Sequence, residues 1–372
     1  MKLAALVFAL LAACGSSSPT TKHGLPTMHL GANIDPAKTL ETTNSEVTFD
    51  VSGHKVGGTV VTPKAAGPWP AVVILAGSGP TDRDWNSPLI PTHNGSGKLL
   101  AEELAKHGAV VLRFDKAGSG SNPGPKDVNG WTLDMYRDEA VAAIDLVRAR
   151  PDVRQDAVFI AGHSEGGLHA TRTALAAGPK LNGVIYLSSA ARTMADTVLT
   201  QLDNQLHNPI TGLTKIQADA ESASMRVAMA DFVAGKTVDP TKASTLPPLQ
   251  AMVTSLNAQP AQQLVRTLMG YDNAKEAPQL TVPCLVINGA KDVQVDPELD
   301  ARHLADAIKA AGHDVTLHIA PESDHVLKHE ARTMQELRNN LEDVQNGYNA
   351  DGRTIDPDVA QAVESWLAAH VP

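Results

Sequence analysis

Gly162-His163-Ser164-Glu165-Gly166 decides the fold of this chain, because it separates the apolar run 157–161 from the helix-like stretch 168–177. A strand, a sharp turn with a serine at its tip and a helix form the motif called a nucleophile elbow. Side chains at the flanking positions would collide in such a turn, which explains the two glycines. The helix that follows directs its amides and the positive end of its dipole at the serine. The pattern predicts Ser164 as a nucleophile.

Apolar runs alternate with helical spacing on both sides of this turn. Runs typical of strands buried on both faces are 71–75, 109–112, 157–161, 184–187, 282–287 and 315–319. Helical apolar spacing covers 98–107, 133–150, 297–311 and 356–369. Strands alternating with helices predict an α/β fold with a doubly wound, mostly parallel sheet. Alternation around Ser52-Gly53-His54 adds a leading antiparallel hairpin.

The organisation along the chain is predicted from these patterns. A signal peptide covers 1–13 and a tether with an N-terminal segment covers 14–44, while the sheet core is split into 45–190 and 279–372. Residues 191–278 interrupt the core, because no strong strand pattern occurs there and helical spacing covers 216–234 and 260–269. A Pro-rich turn is expected at 245–248. We interpret the interruption as a helical lid over the site; a peripheral insertion without substrate contact is the alternative.

The N-terminus has the pattern of an export signal. Lys2 is followed by a short apolar stretch that ends in Leu11-Ala12-Ala13-Cys14, which is too short to span a bilayer. Small residues before a cysteine resemble the lipobox of bacterial lipoproteins, and by that resemblance Cys14 carries the lipid. The Ser-rich residues 15–21 are typical of a flexible tether. An ordinary cleaved signal with an incidental cysteine is the alternative; either predicts export.

Charge and hydropathy limit the expected partners. The formal net charge of the 372 residues is -10, and no basic footprint for nucleic acid is present. No apolar run reaches the length of a transmembrane helix. Membrane contact is therefore expected through lipid on Cys14, at the cell envelope. The oligomeric state is not legible in the sequence.

A serine nucleophile needs a base and an acid that orients the base. With an elbow serine, these partners follow in the order acid and then histidine. Asp292 and His325 occupy the loops after the predicted strands 282–287 and 315–319, at the strand ends where sites form. Asp296 competes as the acid, but its place before Pro297 is typical of a helix N-cap. His329 competes as the base.

An oxyanion hole needs two backbone N–H donors. The amide of Glu165, directly after the nucleophile, is one candidate. We expect the second donor to be Ser78, in the loop after the strand 71–75, where Gly77 and Gly79 let the backbone approach a reacting oxygen closely. A plain tight turn without this role is the alternative.

Together these residues resemble the α/β-hydrolase superfamily from about Val47 to the C-terminus, apart from the insertion. The segments 77–84, 113–116, 162–167 and 324–325 resemble, more narrowly, a bacterial esterase branch related to dienelactone hydrolases and prolyl-oligopeptidase-like enzymes. This resemblance implies a Ser164-Asp292-His325 triad that hydrolyses esters with no metal or cofactor. Ala117 departs from the arginine frequent in relatives, but the departure does not touch the triad.

The charged residues 82–84 admit two interpretations. Arg83 clamps an anionic group of a substrate, because a guanidinium matches carboxylate or phosphate, or local ion pairs of Arg83 shape the neighbouring loop, which we favour. The expected function is an exported serine esterase. A peptidase, amidase or thioesterase with the same triad is the alternative, followed by a non-catalytic binding lipoprotein.

Overall fold

The structure, a computed structural model, describes residues 39–89, 93–339, 344, 347–348 and 352–372. The predicted signal peptide, Cys14 and most of the segment 14–44 lie outside the described residues. Among the residues that are described, no helix is long and apolar enough to cross a membrane.

Eight strands form one sheet in the order β1-β2-β4-β3-β5-β6-β7-β8. They are β1 Thr42–Val51, β2 His54–Pro63, β3 Trp69–Leu75, β4 Val110–Phe114, β5 Val153–His163, β6 Gly183–Leu187, β7 Cys284–Gly289 and β8 Val315–Ala320. β1 pairs with β2, and β2 with β4, in antiparallel fashion; all other pairs are parallel. The predicted mostly parallel sheet is confirmed.

The strands β1 and β2 form a hairpin at one edge of the sheet, and the conformation of the turn between them explains their pairing. Ser52 and Gly53 both have positive φ, at 48° and 86°, between the paired residues Val51 and His54. A two-residue turn with two positive φ values matches the twist of antiparallel strands. The hairpin predicted around this turn is therefore confirmed, with strands longer than the alternating pattern indicated.

Helices cover both faces of the sheet. They are α1 Ser96–Lys106, α2 Leu133–Arg148, α3 Gly166–Ala177, α4 Met194–Leu206, α5 Lys215–Val233, α6 Pro240–Ala243, α7 Pro247–Asn257, α8 Gln262–Gly270, α9 Asn273–Glu276, α10 His303–Ala310, α11 Met334–Asn339 and α12 Pro357–His370. The buried side chains of α2, α3 and α10 pack on one face, and those of α1 and α12 pack on the other. This double covering explains why the parallel strands are continuously apolar.

The insertion 191–278 consists of the helices α4 to α9, and no strand is assigned within it. The helices α4 to α8 share a separate hydrophobic cluster with Leu168 of α3, whereas Ala274 of α9 packs in the core of the sheet. Two boundaries differ from the sequence prediction. Pro247, placed in a turn, begins α7, because proline is well suited to the first helical turn. The helix expected over 297–311 begins as a π-helical turn, Pro297–Arg302, before α10.

Candidate active site

Ser164 lies in the turn between β5 and α3 and has a φ of 53°. A non-glycine residue with positive φ stores backbone strain, which surrounding structure must enforce. A Cβ on Gly162 would lie 2.2 Å from the carbonyl oxygen of Gly166. A Cβ on Gly166 would lie 2.8 Å from the carbonyl oxygen of Ala76. Both flanking glycines are therefore required by close backbone approach, as the sequence pattern predicted.

Asp292 and His325 meet in a buried hydrogen bond, with 2.9 Å between His325 Nδ1 and Asp292 Oδ2. The other carboxylate oxygen accepts the backbone N–H groups of Gln294 at 2.7 Å and Val295 at 2.9 Å. The Asp292 carboxylate thus accepts hydrogen bonds at both oxygens. Because His325 donates from Nδ1, its Nε2 is left able to accept a proton.

The two competing residues have other partners. Asp296 Oδ1 accepts the N–H groups of Glu298 at 2.8 Å and Leu299 at 2.9 Å, so that Asp296 caps the helix beginning at Pro297. His329 has a mostly exposed side chain whose Nδ1 lies 3.4 Å from Asp356. Neither Asp296 nor His329 takes part in the hydrogen bond between Asp292 and His325.

His163 links the turn of Ser164 to the loop of His325. Its Nε2 donates to the carbonyl oxygen of His325 at 2.8 Å, and its ring stacks on Trp85 with centroids 4.3 Å apart. Burial lowers the pKa of His163 to about 3, so its imidazole is neutral. Within the described residues, the Ser164 hydroxyl makes no hydrogen bond to His325. Such bonds often form only in the substrate complex.

The loop 76–80 after β3 approaches Ser164 closely. A Cβ on Gly77 would lie 3.2 Å from the Ser164 Cβ, so only a glycine allows the contact without displacement. The amide of Glu165 stands at the N-cap of α3. Among the described residues, the amides of Ser78 and Glu165 donate to no backbone carbonyl outside regular elements. Both remain available for a ligand oxygen.

Arg83 is held by two ion pairs, with Asp115 and with Glu46. Its guanidinium contacts Asp115 at 2.9 Å and Glu46 at 2.6 Å, and its backbone N–H donates to Asp115 at 2.9 Å. The neighbouring Asp84 accepts from Arg113 at 2.7 Å. These ion pairs favour the loop-shaping interpretation of Arg83 over a clamp for substrate.

A cavity of about 380 Å³ lies beside this loop and under the insertion. Its walls are Gly79, Pro80, Lys116, Ala117, Gly118, Lys126, Val128, Trp131, Tyr136, Glu165, Met194, Leu256, Gln259, Pro260, Ala261, Leu264, Val265, Leu268 and Met269. The last nine of these residues belong to the insertion, which therefore covers the cavity. Sequence reasoning missed the side chains of Lys116, Tyr136 and Glu165 that enter it.

The described residues also contain a possible cation-binding group, Glu103, His107 and Glu364. It lies at the end of α1, before the first residue of β4, whereas Ser164 follows the last residue of β5. The group is therefore at the opposite edge of the sheet from Ser164. Its presence does not bear on the chemistry of the serine.

The chain is similar to one protein family and to a curated esterase. Residues 91–332 match the profile of the family described as serine aminopeptidase, S33. Esterase EstD of Thermotoga maritima is 26% identical over 249 residues, which are 66% of this chain and 52% of the esterase. This chain thus spans about half the length of that curated relative.

Solved structures with related folds include two hydrolases. Proline iminopeptidase of Mycobacterium smegmatis is 19% identical, with a TM-score of 0.47, and the match covers 82% of this chain and 99% of that one. The carboxylesterase EstE1, from a metagenomic library, is 16% identical, with a TM-score of 0.48 and coverage of 90% and 91%. No functional inference follows from these two similarities.

Proposed function

The chain belongs to the serine aminopeptidase S33 family of the α/β-hydrolase superfamily, and on that premise we propose that it hydrolyses carboxylic esters through an acyl-enzyme. In this proposal Ser164 attacks the acyl carbon while His325 takes the hydroxyl proton and then gives it to the leaving alcohol. Asp292 holds the imidazole, and water later releases the acid. The observation that carries the proposal is the buried hydrogen bond between His325 Nδ1 and the Asp292 carboxylate. The backbone carbonyl of His325 also accepts a hydrogen bond from His163, the residue before Ser164.

The charge developing on the carbonyl oxygen needs preorganised donors. We assign this role to the amide of Ser78, in the loop after β3, and to the amide of Glu165, the residue directly after Ser164. The close contact of Gly77 with the Ser164 Cβ supports the assignment, because it brings the loop within reach of the carbon under attack. The resemblance to a particular esterase branch remains a prediction from the quoted motifs.

The cavity favours an apolar acyl group over a peptide N-terminus. Holding a substrate ammonium requires a free anion, and the only acid lining the cavity within the described chain is Glu165. Its carboxylate already lies 3.8 Å from the Lys116 ammonium and 3.2 Å from His169 Nε2. The insertion contributes no acid to these walls. This arrangement supports esters of uncharged acids.

The strand order decides which half of the ester enters the cavity. β4 and β3, whose loops line it, lie on one side of β5, whereas β7 and β8, which carry Asp292 and His325, lie on the other. The leaving alcohol must sit near His325 to receive its proton. The acyl group therefore points into the cavity. At about 30 Å³ per small group, the cavity holds roughly ten heavy atoms.

Replacing the nucleophile tests the proposed reaction. We expect Ser164→Ala to lower kcat on p-nitrophenyl esters by at least about 10³-fold, because a triad without its nucleophile retains only residual catalysis. A fluorophosphonate probe should label the native chain and not the variant. Both chains should have the same melting temperature.

Ser222→Ala is the matched control, since Ser222 and Ser164 are each 8% exposed but Ser222 lies on α5. Comparable ester turnover in native protein and Ser164→Ala would end the proposal. Aminoacyl p-nitroanilides assayed alongside decide between the esterase and the aminopeptidase. Faster turnover of these amides than of matched esters would favour the aminopeptidase.

A further inference from the structure

Lys116 is a buried lysine that the proposed chemistry does not use. It follows β4 by two positions and is 7% exposed. A charged group is removed from water at a considerable cost unless it is paired and hydrogen-bonded. Its Nζ donates to the carbonyl oxygen of Gly79 at 2.6 Å and lies 3.8 Å from Glu165 Oε1. It also lies over the ring of Tyr136, 5.5 Å from the centroid.

The two polar partners of Lys116 are the two sides of the proposed oxyanion hole. Gly79 directly follows Ser78, and Glu165 itself carries the second amide. One ammonium group therefore contacts both segments whose N–H groups must face the same oxygen. Thr81 steadies the first segment by donating its hydroxyl to the Ser78 carbonyl at 2.6 Å. The direction of the Ser78 amide depends on how this short loop is held.

The Lys116 ammonium, whose pKa burial lowers and the Glu165 carboxylate raises, lies where it compensates the charge of Glu165. Burial alone would raise the pKa of the Glu165 carboxyl, but the Lys116 ammonium and the His169 imidazole hold this pKa below its usual value. Glu165 is consequently a carboxylate in the residue that directly follows Ser164. Without a counter-charge, it would oppose the negative charge that develops on the carbonyl oxygen.

We propose that Lys116 is a positioning residue that aligns the two oxyanion donors and neutralises Glu165. The inference rests on the proposed function, because it gives Lys116 a role only if an oxyanion forms beside Ser164. Lys116 does not touch the substrate carbonyl in this account. It acts through Gly79 and Glu165, so its loss weakens the binding of the transition state more than that of the substrate.

The test compares Lys116→Met with Lys180→Met, a lysine that pairs with Asp145 and does not line the cavity. For Lys116→Met we expect kcat on a p-nitrophenyl ester to fall on the order of 10- to 100-fold, with KM changed less than about threefold. Affinity for a trifluoromethyl ketone, which forms a tetrahedral adduct with serine, should fall by the same factor as kcat. Lys180→Met should leave kcat and this affinity within about twofold.

Glu165→Gln separates positioning from charge. In the Glu165→Gln background, the fold-loss in kcat caused by Lys116→Met should be at least about threefold smaller than in the native chain. The reason is that no unpaired carboxylate remains. Lys116→Arg keeps the charge but not the point contact with Gly79, so it should lose at least about fivefold in kcat. This variant also serves if Lys116→Met does not fold.

Three outcomes would overturn the proposal. The first is an unchanged kcat in Lys116→Met or Lys116→Arg, and the second is a loss confined to KM. The third is an equal loss of kcat from Lys116→Met in the native chain and in the Glu165→Gln background. The proposed function fails separately, when Ser164→Ala remains active or when amides are turned over faster than matched esters.

Discussion

At the scale of single residues, His163 connects the turn that carries Ser164 to the loop that carries His325. It precedes Ser164, and its imidazole holds the carbonyl of His325 while stacking on Trp85. Because the ring donates from Nε2 to a carbonyl and is fully enclosed, it is a structural histidine in the neutral form. Its protonation would place a cation beside the imidazole that we propose as the base.

The lowered pKa of His163 predicts acid sensitivity of the fold. Burial moves this pKa from 6.5 to about 3, so the unfolded chain binds a proton at a higher pH than the folded chain does. The free energy of unfolding should therefore fall as the pH drops from 6.5 towards 3, by up to about 1.4 kcal/mol per pH unit from this group. His163→Gln, which keeps an N–H donor, should lack this contribution. Denaturant unfolding at each pH measures it.

His207→Gln is the control, because the Asp203 carbonyl and the Asp219 carboxylate raise the pKa of this exposed imidazole. A raised pKa stabilises the fold below the unfolded value and loses that effect at higher pH. His207→Gln should thus remove a contribution to the free energy of unfolding that decreases as the pH rises, which is the opposite of the contribution from His163. Parallel curves for native protein and His163→Gln would contradict the prediction.

At the scale of elements, α8 forms much of the cavity wall through Leu264, Val265, Leu268 and Met269. If the acyl group lies against this helix, each added methylene should raise kcat/KM by about two- to fourfold until the cavity is full. In this proposal α8 contributes apolar contacts to the substrate and no polar group to the reaction. The length of the preferred acyl chain is set by packing alone.

Leu268→Trp tests this packing. The indole should fill part of the cavity and lower kcat/KM for an octanoyl ester by about tenfold or more, while a butyryl ester changes by less than about twofold. Val227→Trp is the control, because Val227 is exposed on α5 and does not line the cavity. An equal loss for all chain lengths would show that the acyl group lies elsewhere.

The elements also show how far sequence reasoning reaches. Asp296 was assigned to a helix N-cap from the proline behind it, and Ser164 to a strained turn from its flanking glycines; both assignments depend on neighbours in sequence. The contact of Lys116 with Gly79 depends instead on β4 lying beside β3, a strand order that apolar runs do not reveal. The same holds for Arg83 and Glu46, whose side chains meet across separate segments.

At the scale of the whole molecule, the sheet distributes the proposed chemistry around its central strand. Ser164 follows β5, the loops that position the oxyanion follow β3 and β4, and the acid and base follow β7 and β8. The insertion enters between β6 and β7, so it extends from the same edge of the sheet. The carboxyl ends of parallel strands thus bring together residues that are far apart in sequence.

Attachment to a membrane is a prediction for the whole protein that depends on Cys14, outside the described residues. In a bacterial host, the native chain should incorporate labelled palmitate and sediment with membranes. Cys14→Ser should do neither, because the thiol that receives the lipid is missing. Ser16→Ala, in the same tether, is the control. A native chain that stays unlabelled and unattached would refute the lipoprotein interpretation.

The ion pair between Glu46 and Arg83 has a consequence for engineering this protein. Glu46 belongs to β1, the outermost strand, and Arg83 supports the loop that precedes the cavity. Deleting the first hairpin to obtain a smaller enzyme would leave Ser164, Asp292 and His325 untouched. It would nevertheless remove one of the two carboxylates that hold Arg83. A trimmed protein should therefore be smaller but less accurately organised for catalysis.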